Sequence, residues 1–268
     1  MNLYCRLPHL QADVAGAGGV SALQAQHLRA IDEASREVER YCNRRFYSEI
    51  ATRYFDGNGK TDLWLSPIPG EADLISVSAL TVDDDDDGTY ELTLVEDTDY
   101  RLMPANSTPK THLQLLTRGT QLSYWPRGQA SIKVVGTWGW SEETEDSGLT
   151  GTVATTTGTA LTASASAATL VYPGDTIIVE SEQMYVSAVV TTAITVVRGI
   201  NGTTAAAHSA KSILIRRYPT DIEEAVRIRV GASRWESNQG MFEGTTPPPG
   251  SYGRYRGLLD PFRLLVVA

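Results

Sequence analysis

Lysine is almost missing from this chain: of 23 basic residues only Lys60, Lys110, Lys133 and Lys211 are lysines, and the other 19 are arginines. A GC-rich genome gives such a surplus, but arginine is also the cation that interfaces favour, its planar fork being easier to desolvate than an ammonium. Cysteine is as scarce. Cys5 and Cys42 form no metal-ligand spacing, Cys42 falls inside a helical pattern, and both read as reduced, structural residues. Long apolar runs are lacking too, none approaching the roughly 18 residues of a membrane-spanning helix. Met1 to Ala15 has neither a basic leader nor an unbroken apolar stretch. The expectation is a protein with no membrane span and no secretory signal. Positive charge is in deficit as well: 32 acids against 23 bases give a net charge of −9. A phosphate backbone is repelled by the chain as a whole, so tight wrapping of nucleic acid is excluded as a function class.

The 268 residues, 41% hydrophobic and 21% charged, are enough for one large or two ordinary domains with a core that needs no disulfide or metal. Ser21 with Gln24 forms a capping box after the glycine break Gly16, Gly18, Gly19. From there Leu28, Ile31, Ala34, Val38 and Cys42 recur at helical spacing to about Arg44. After Phe46 the period becomes alternating, in runs Ile50–Phe55, Leu63–Leu65, Leu74–Val82, Tyr90–Val95, Tyr100–Met103, Leu113–Leu116 and Ser131–Thr137. Turn chemistry separates them, notably Asp56-Gly57-Asn58-Gly59, Pro67-Ile68-Pro69-Gly70 and Asp87-Gly88. These runs predict an antiparallel β meander.

Composition then changes. No charged residue occurs from Ser147 to Gly174, after which strand-like runs resume at Asp175–Ser181, Gln183–Val190, Ala193–Val197 and Ser212–Ile215. Residues 147–217 read as an all-β module inserted into a host formed by residues 1–146 and 218–268, with a disordered linker as the alternative for its uncharged leader. A second helix starts at Pro219 with Thr220 and Glu223 as a capping box and runs to about Asn238. Its apolar residues form two stripes, Ile222, Val226, Val230 and Ala225, Ile228, Ala232, Trp235, which suit two packing neighbours. After Pro247 to Pro249 the chain ends apolar in Leu264, Leu265, Val266 and Val267, so that its end is expected to be docked on its own core or on a partner. The fold class read from all this is α+β: a small set of helices packed with an antiparallel meander, plus the inserted β module.

Catalytic and ligand motifs fail one by one. His9, His27, His112 and His208 share no helical face beside a carboxylate, so no zinc-hydrolase signature exists. Gly59-Lys60-Thr61 imitates the end of a phosphate-binding loop, but Tyr54 stands where its opening glycine belongs, and a hairpin turn is the better reading. Asp83 to Asp87 with Gly88 imitates a calcium loop, but Leu94 occupies the position of the bidentate glutamate and strands flank it. It reads as a charged loop tip, with weak opportunistic cation binding left open. There is no nucleophile elbow and no dinucleotide fingerprint. No catalytic residue, cofactor or metal is expected.

The order of the remaining pieces carries a resemblance. Leu28 to Phe46, with Ile31-Asp32-Glu33-Ala34 and Glu39-Arg40-Tyr41-Cys42-Asn43-Arg44-Arg45-Phe46, resembles the opening helix of head-to-tail connector (adaptor, head-completion) proteins of long-tailed bacteriophages. Leu63-Trp64-Leu65 and Ile75-Ser76-Val77 are similar to the strands that follow it. Tyr218-Pro219-Thr220-Asp221-Ile222-Glu223-Glu224-Ala225 resembles a later helix, and Leu258-Leu259-Asp260-Pro261-Phe262-Arg263 a closing segment. Gly174-Asp175 to Met184 and Val197 to Thr203 with Ala207-His208 look like a β module of phage structural proteins.

What the resemblance implies is architecture without catalysis: a homo-oligomeric ring, usually of twelve copies, beneath the portal in the virion neck, assembled in the host cytoplasm. The ring would extend the DNA channel, let DNA pass without sequence-specific binding, and present a surface to a downstream stopper or tail-terminator protein. Tyr252, Tyr255, Leu258, Phe262 and Leu264 would anchor it on portal, with Arg254, Arg256 and Arg263 pairing portal acids. Arg227, Arg234 and Trp235 would lie at the ring interface. Deleting Tyr252 to Ala268 is then expected to leave a folded protein. A tail-tip or fibre component whose β module binds host carbohydrate is the alternative, though Tyr172 and Tyr185 make a poor sugar platform. A secreted β-rich hydrolase is a third reading.

Overall fold

Alternation of apolar and polar residues builds the first set of strands. A computed structural model describes residues 2–13, 20–65, 72–116, 118, 121–237 and 251–264. Several features expected from the sequence lie outside these: the Gly16 to Gly19 break, the Pro67 to Gly70 turn, Pro247 to Pro249, Leu265 to Val267 and the Ser21 side chain. The chain divides into two compact units, residues 43–141 with 264–268, and residues 1–42 with 142–263. The first of these holds β1 (Glu49–Gly57), β2 (Asp62–Trp64), β3 (Leu74–Val82), β4 (Leu92–Leu94), β5 (Tyr100–Met103), β6 (His112–Leu115) and β7 (Gly128–Trp138). All pair antiparallel, in two sheets ordered β1-β7-β3-β4 and β2-β6-β5. Strand direction is as expected, but the order is interleaved, because β7 returns to sit between β1 and β3.

One core serves both sheets. Phe55, Leu74, Leu80, Ile132, Val134 and Trp138 from the first meet Leu63, Leu102, Leu113 and Leu115 from the second, with Trp125 between. The two buried indoles are hydrogen-bonded, Trp138 Nε1 donating to Ala51 O (3.0 Å) and Trp125 Nε1 to Thr61 O (3.0 Å), as buried polar groups require. Arg53 lies over the Trp138 ring at 4.2 Å. In the Asp56–Gly59 turn Gly57 is obligatory, since a Cβ there would stand 1.6 Å from Pro126 O.

The other unit contains a closed barrel of β8 (Thr144–Val153), β9 (Ala160–Ala163), β10 (Thr176–Val179), β11 (Glu182–Val190), β12 (Ala193–Val197) and β13 (His208–Arg216), ordered β10-β11-β12-β9-β8-β13. Closure leaves no sheet edge. Leu149, Leu161, Ile177, Met184, Val186, Ile194 and Ile213 fill its interior. The uncharged leader therefore supplies barrel strands, the end of β8 and all of β9, instead of a linker alone: in β9 Leu161 and Ala163 point inward while Ala160 and Thr162 are exposed, a clean period of two. The barrel also begins at Thr144, ahead of Ser147, because Glu145 and Asp146 occupy exposed positions of β8 and their charge hides the strand.

The helices belong to the same compact unit as the barrel, whereas the sequence grouped them with the meander. They are α1 (Leu7–Asp13), α2 (Val20–Cys42), α3 (Thr220–Ser237) and α4 (Ser251–Leu259), the last followed by a 3₁₀ turn, Asp260–Phe262. The predicted stripe of α2 is its buried face, Ile31, Ala34, Val38 and Cys42. In α3 the buried residues are Ile222, Ala225, Val226 and Val230, while Ile228 and Ala232 stay half-covered. Its cap differs from the expected box. Pro219 O accepts from the amides of Ile222 and Glu223, and the Glu223 carboxylate turns instead to Arg6 N and His9 Nδ1.

α3 packs on both α2 and α4, tied by Arg229 Nε to Glu37 (2.6 Å) and Arg254 Nη2 to Glu224 (2.9 Å). Two features were not expected. The residues before the glycine break include α1, with Tyr4, Leu7 and Leu10 buried in this region, and the stretch ahead of the apolar chain end forms α4, with Tyr255 and Leu259 buried. Among the described residues no helix is long and apolar enough to cross a membrane.

Candidate interaction surfaces

The closing segment lies on the exposed side of the helical cluster. α4 presents Tyr255 and Leu259 to α2 and α3, and the Tyr255 ring meets Tyr41 at a centroid distance of 6.3 Å. Tyr255 is 4% exposed, and burial pushes its hydroxyl above the usual tyrosine range. It cannot serve as the partner anchor the sequence suggested, because its ring is already used inside this unit. Arg254, Arg256 and Arg263 are exposed, and Leu258, Phe262 and Leu264 are half-buried. The Arg263 guanidinium sits over Tyr41 at 5.6 Å, and Tyr41 Oη donates to Asp260 Oδ1 at 2.5 Å. Three aligned features thus converge on the end of α2: an arginine on a ring, a phenol on a carboxylate, and Cys42 Sγ against Leu259 O. The segments from Leu28 to Cys42, from Tyr218 to Ala225 and from Leu258 to Arg263 meet in this one cluster.

The proposed ring residues are less informative. Arg227 is half-exposed and pairs with Glu224 at 2.8 Å, within α3. The side chains of Arg234, Trp235 and Tyr252 lie outside the described residues.

At the acidic loop, Asp83 is buried and its carboxylate accepts from Asp86 N (2.8 Å) and Gly88 N (2.9 Å). Asp87 Oδ1 accepts from Thr89 N at 2.7 Å. The acids shape the turn that carries them, which is a sufficient structural reason for their presence. Carboxylate oxygens of Asp83, Asp85 and Glu91 lie within 4.8 Å of one another. Gly59-Lys60-Thr61 is part of a turn in which Asn58 Oδ1 accepts from Lys60 N at 2.8 Å; the turn is not the expected hairpin, because it carries the chain from β1 to β2, which pair with β7 and β6 in different sheets.

One cluster escaped sequence reasoning. Glu182, fully buried at the start of β11, accepts from Arg198 Nε and Nη2 (both 2.6 Å), from Gly199 N and Ala206 N (both 3.0 Å), and from His208 Nε2 (2.9 Å). Burial alone would raise this carboxyl, but the bonds from Arg198, Ala206, His208 and Gly199 outweigh it and hold the group at about 2. Glu180 takes the other ring nitrogen of His208 at 2.8 Å and pairs with Lys211 at 2.8 Å. Five donors leave Glu182 no room for a substrate proton. Its chemistry is that of a clamp on the chain between β12 and β13, not of an acid or base. The nearby Asn201 adds a second tie, donating to Gln183 Oε1 (2.8 Å) and to Asn2 Oδ1 (3.0 Å).

A groove of about 470 Å³ opens between α1, α2 and the barrel, lined mostly by apolar side chains including Leu7, Leu28, Val171, Tyr172 and Val189. Gly174, at φ +97°, passes close beneath it, and a Cβ there would stand 2.7 Å from Leu28 Cδ2. The sugar platform expected of the fibre reading is not formed: the Tyr172 ring is covered by Arg6 at 5.2 Å and Tyr185 is half-buried.

No family model matches this sequence, and no curated protein matches it. Among solved structures, the chain is similar to one in the neck of an empty gene transfer agent (GTA) particle computed with C6 symmetry. The two share 13% identity over 99% of this chain and 92% of that one, with a TM-score of 0.47. It is also similar to a chain in the virion of a native GTA particle, at 14% identity over 95% and 83% and a TM-score of 0.41. A third is in the neck of a native GTA particle computed with C12 symmetry, at 13% identity over 94% and 95% and a TM-score of 0.41.

Proposed function

We propose that this protein is a structural component of a virion neck: a connector that forms a homo-oligomeric ring beneath the portal, extends the DNA channel, and joins the capsid to a stopper or tail-terminator protein. The observation that carries the reading is the convergence of the three connector-like segments, one near the start of the chain and two near its end, on one helical cluster: Arg229, on the helix that the second segment opens, with Glu37, Tyr41 with Asp260, Cys42 with Leu259. The role is architectural. Twelve copies, host-cytoplasmic assembly and the absence of catalysis belong to the same proposal.

Portal contact falls to the exposed parts of the closing segment, Arg254, Arg256, Leu258, Phe262 and Arg263, with Tyr255 and Leu259 holding α4 in place. The net charge of −9 suits a lumen along which a polyanion slides without sticking. Removing Tyr252 to Ala268 would strip a packed helix from the core, so charge reversal is the cleaner test. Arg256→Glu with Arg263→Glu is expected to abolish co-sedimentation with portal-bearing heads while far-UV circular dichroism stays unchanged. Retained co-sedimentation by the double variant refutes portal docking through this segment.

A further inference from the structure

The outer wall of the barrel is not explained by the helical cluster or by the acidic loop. From Ser147 to Gly174, and again from Gln183 to Val197, there is no acidic, basic or histidine side chain, in a chain that is 21% charged. Strand pairing gathers these residues onto one surface. Val190 faces Ala193, Ala193 faces Thr162 and Thr162 faces Thr152 across β11, β12, β9 and β8, with Ala188 opposite Thr195 in the next row. All six are exposed, and Val190 is 67% exposed. The wall runs into the apolar groove, which Ala188 and Val189 help to line, and Leu170, beside the groove residue Val171, is 41% exposed. A surface that stays in water normally intersperses charges of both signs. β8 and β11 begin with acids, Glu145, Asp146 and Glu182, but the exclusion of charge from the joined stretches of β8, β9, β11 and β12 that follow, together with exposed valine and leucine, marks a surface that becomes covered.

We propose that this wall, with the groove beside it, seats a second copy of the same chain in the assembled neck. Charge favours a copy over another occupant. Molecules of −9 repel one another overall, and approach with least electrostatic cost where the contacted face carries no acid. Area points the same way. Strands about 4.8 Å apart with residues rising about 3.4 Å make the wall on the order of 300 Å², well short of the roughly 800 Å² per partner in a stable pair. Such a contact does not hold two free chains together. It holds when ring closure gives every copy two neighbours and makes the last contacts intramolecular. The proposal rests on the ring reading above and names one of its two self-contacting faces.

The test uses the full chain with a photo-activatable residue replacing Val190. On purified particles the expected product has twice the chain mass and contains this chain alone. Val190→Glu with Ala193→Glu is expected to lower incorporation into particles at least tenfold with the thermal midpoint unchanged, whereas Thr204→Glu, in the loop between β12 and β13, leaves incorporation intact. Cross-linking from position 190 to a different protein, or normal incorporation without any self-product, overturns the proposal and leaves the ring reading standing. Wild-type chain missing from the neck refutes the ring reading and the proposal together.

Discussion

Glu182→Gln removes one charge from the barrel and almost no volume. The glutamine keeps one acceptor oxygen where the carboxylate had two, so Arg198, whose side chain is 6% exposed, loses its bidentate partner. At least one donor among Gly199 N, Ala206 N and His208 is left without a lone pair. Breaking a buried ion pair on one side costs about 3–5 kcal/mol. The pH dependence gives an independent figure. The folded carboxyl is held at about 2, well below the 4.5 of a free glutamate side chain, and so contributes about 3 kcal/mol. That stability is complete above about pH 4.5 and disappears as the pH falls toward 2. Because two compact units need not unfold together, the assay is hydrogen exchange of the β11 to β13 amides with urea unfolding at pH 7 and pH 3. The variant is expected to lose about 3–5 kcal/mol at pH 7 and much less at pH 3. A loss below about 1 kcal/mol at pH 7, or one equal at both pH values, would show that the carboxylate does not clamp this loop.

In the sheet unit Trp138→Ala empties the centre of the shared core and strands Arg53 without its ring; about 3–5 kcal/mol should disappear from that unit, read from near-ultraviolet circular dichroism and exchange of β7 amides. Asp73 is buried at 2.7 Å from Arg44, and burial, partly offset by Arg44, raises its carboxyl to about 6. Its contribution is therefore greatest below about pH 3.8 and is lost as the pH rises through 6, so Asp73→Asn should flatten the decline of sheet-unit stability between pH 4 and 7; an unaltered slope in urea titrations would reject that assignment.

Local pattern in this sequence reports local structure well and partners poorly. Leu74–Val82, Tyr100–Met103 and Ala193–Val197 are strands with the bounds read from alternation, because one face of each is buried and one is not. Alternation does not say which strand lies next door. That β7 enters between β1 and β3 depends on Ile132, Val134 and Trp138 meeting residues from both, a fact of long-range packing. Helix α4 is hidden for another reason. Gly253 and Gly257 give it poor intrinsic propensity, and it stands because Tyr255 and Leu259 are buried against α2 and α3. Their spacing of four was the available signal. The Glu182 clamp joins residues 16 and 26 positions apart, and only barrel closure brings them together.

The burial of Tyr255 and Leu259 also decides what kind of contact the closing segment can make. With its strongest apolar residues turned inward, the outward face of α4 and the 3₁₀ turn is left with Arg254, Arg256 and Arg263 around half-buried Leu258 and Phe262. Contact with a partner is then mainly electrostatic. Exposed charges are screened over about 10 Å at 0.1 M salt and about 3 Å at 1 M, whereas apolar burial is not weakened by salt. Co-sedimentation with portal-bearing heads should therefore fall steeply between those salt concentrations, and Arg256→Glu with Arg263→Glu should remove most of the salt dependence along with the binding. Binding by the wild-type chain that is level or stronger at high salt would mean that the docking face is apolar and that the arginines are bystanders.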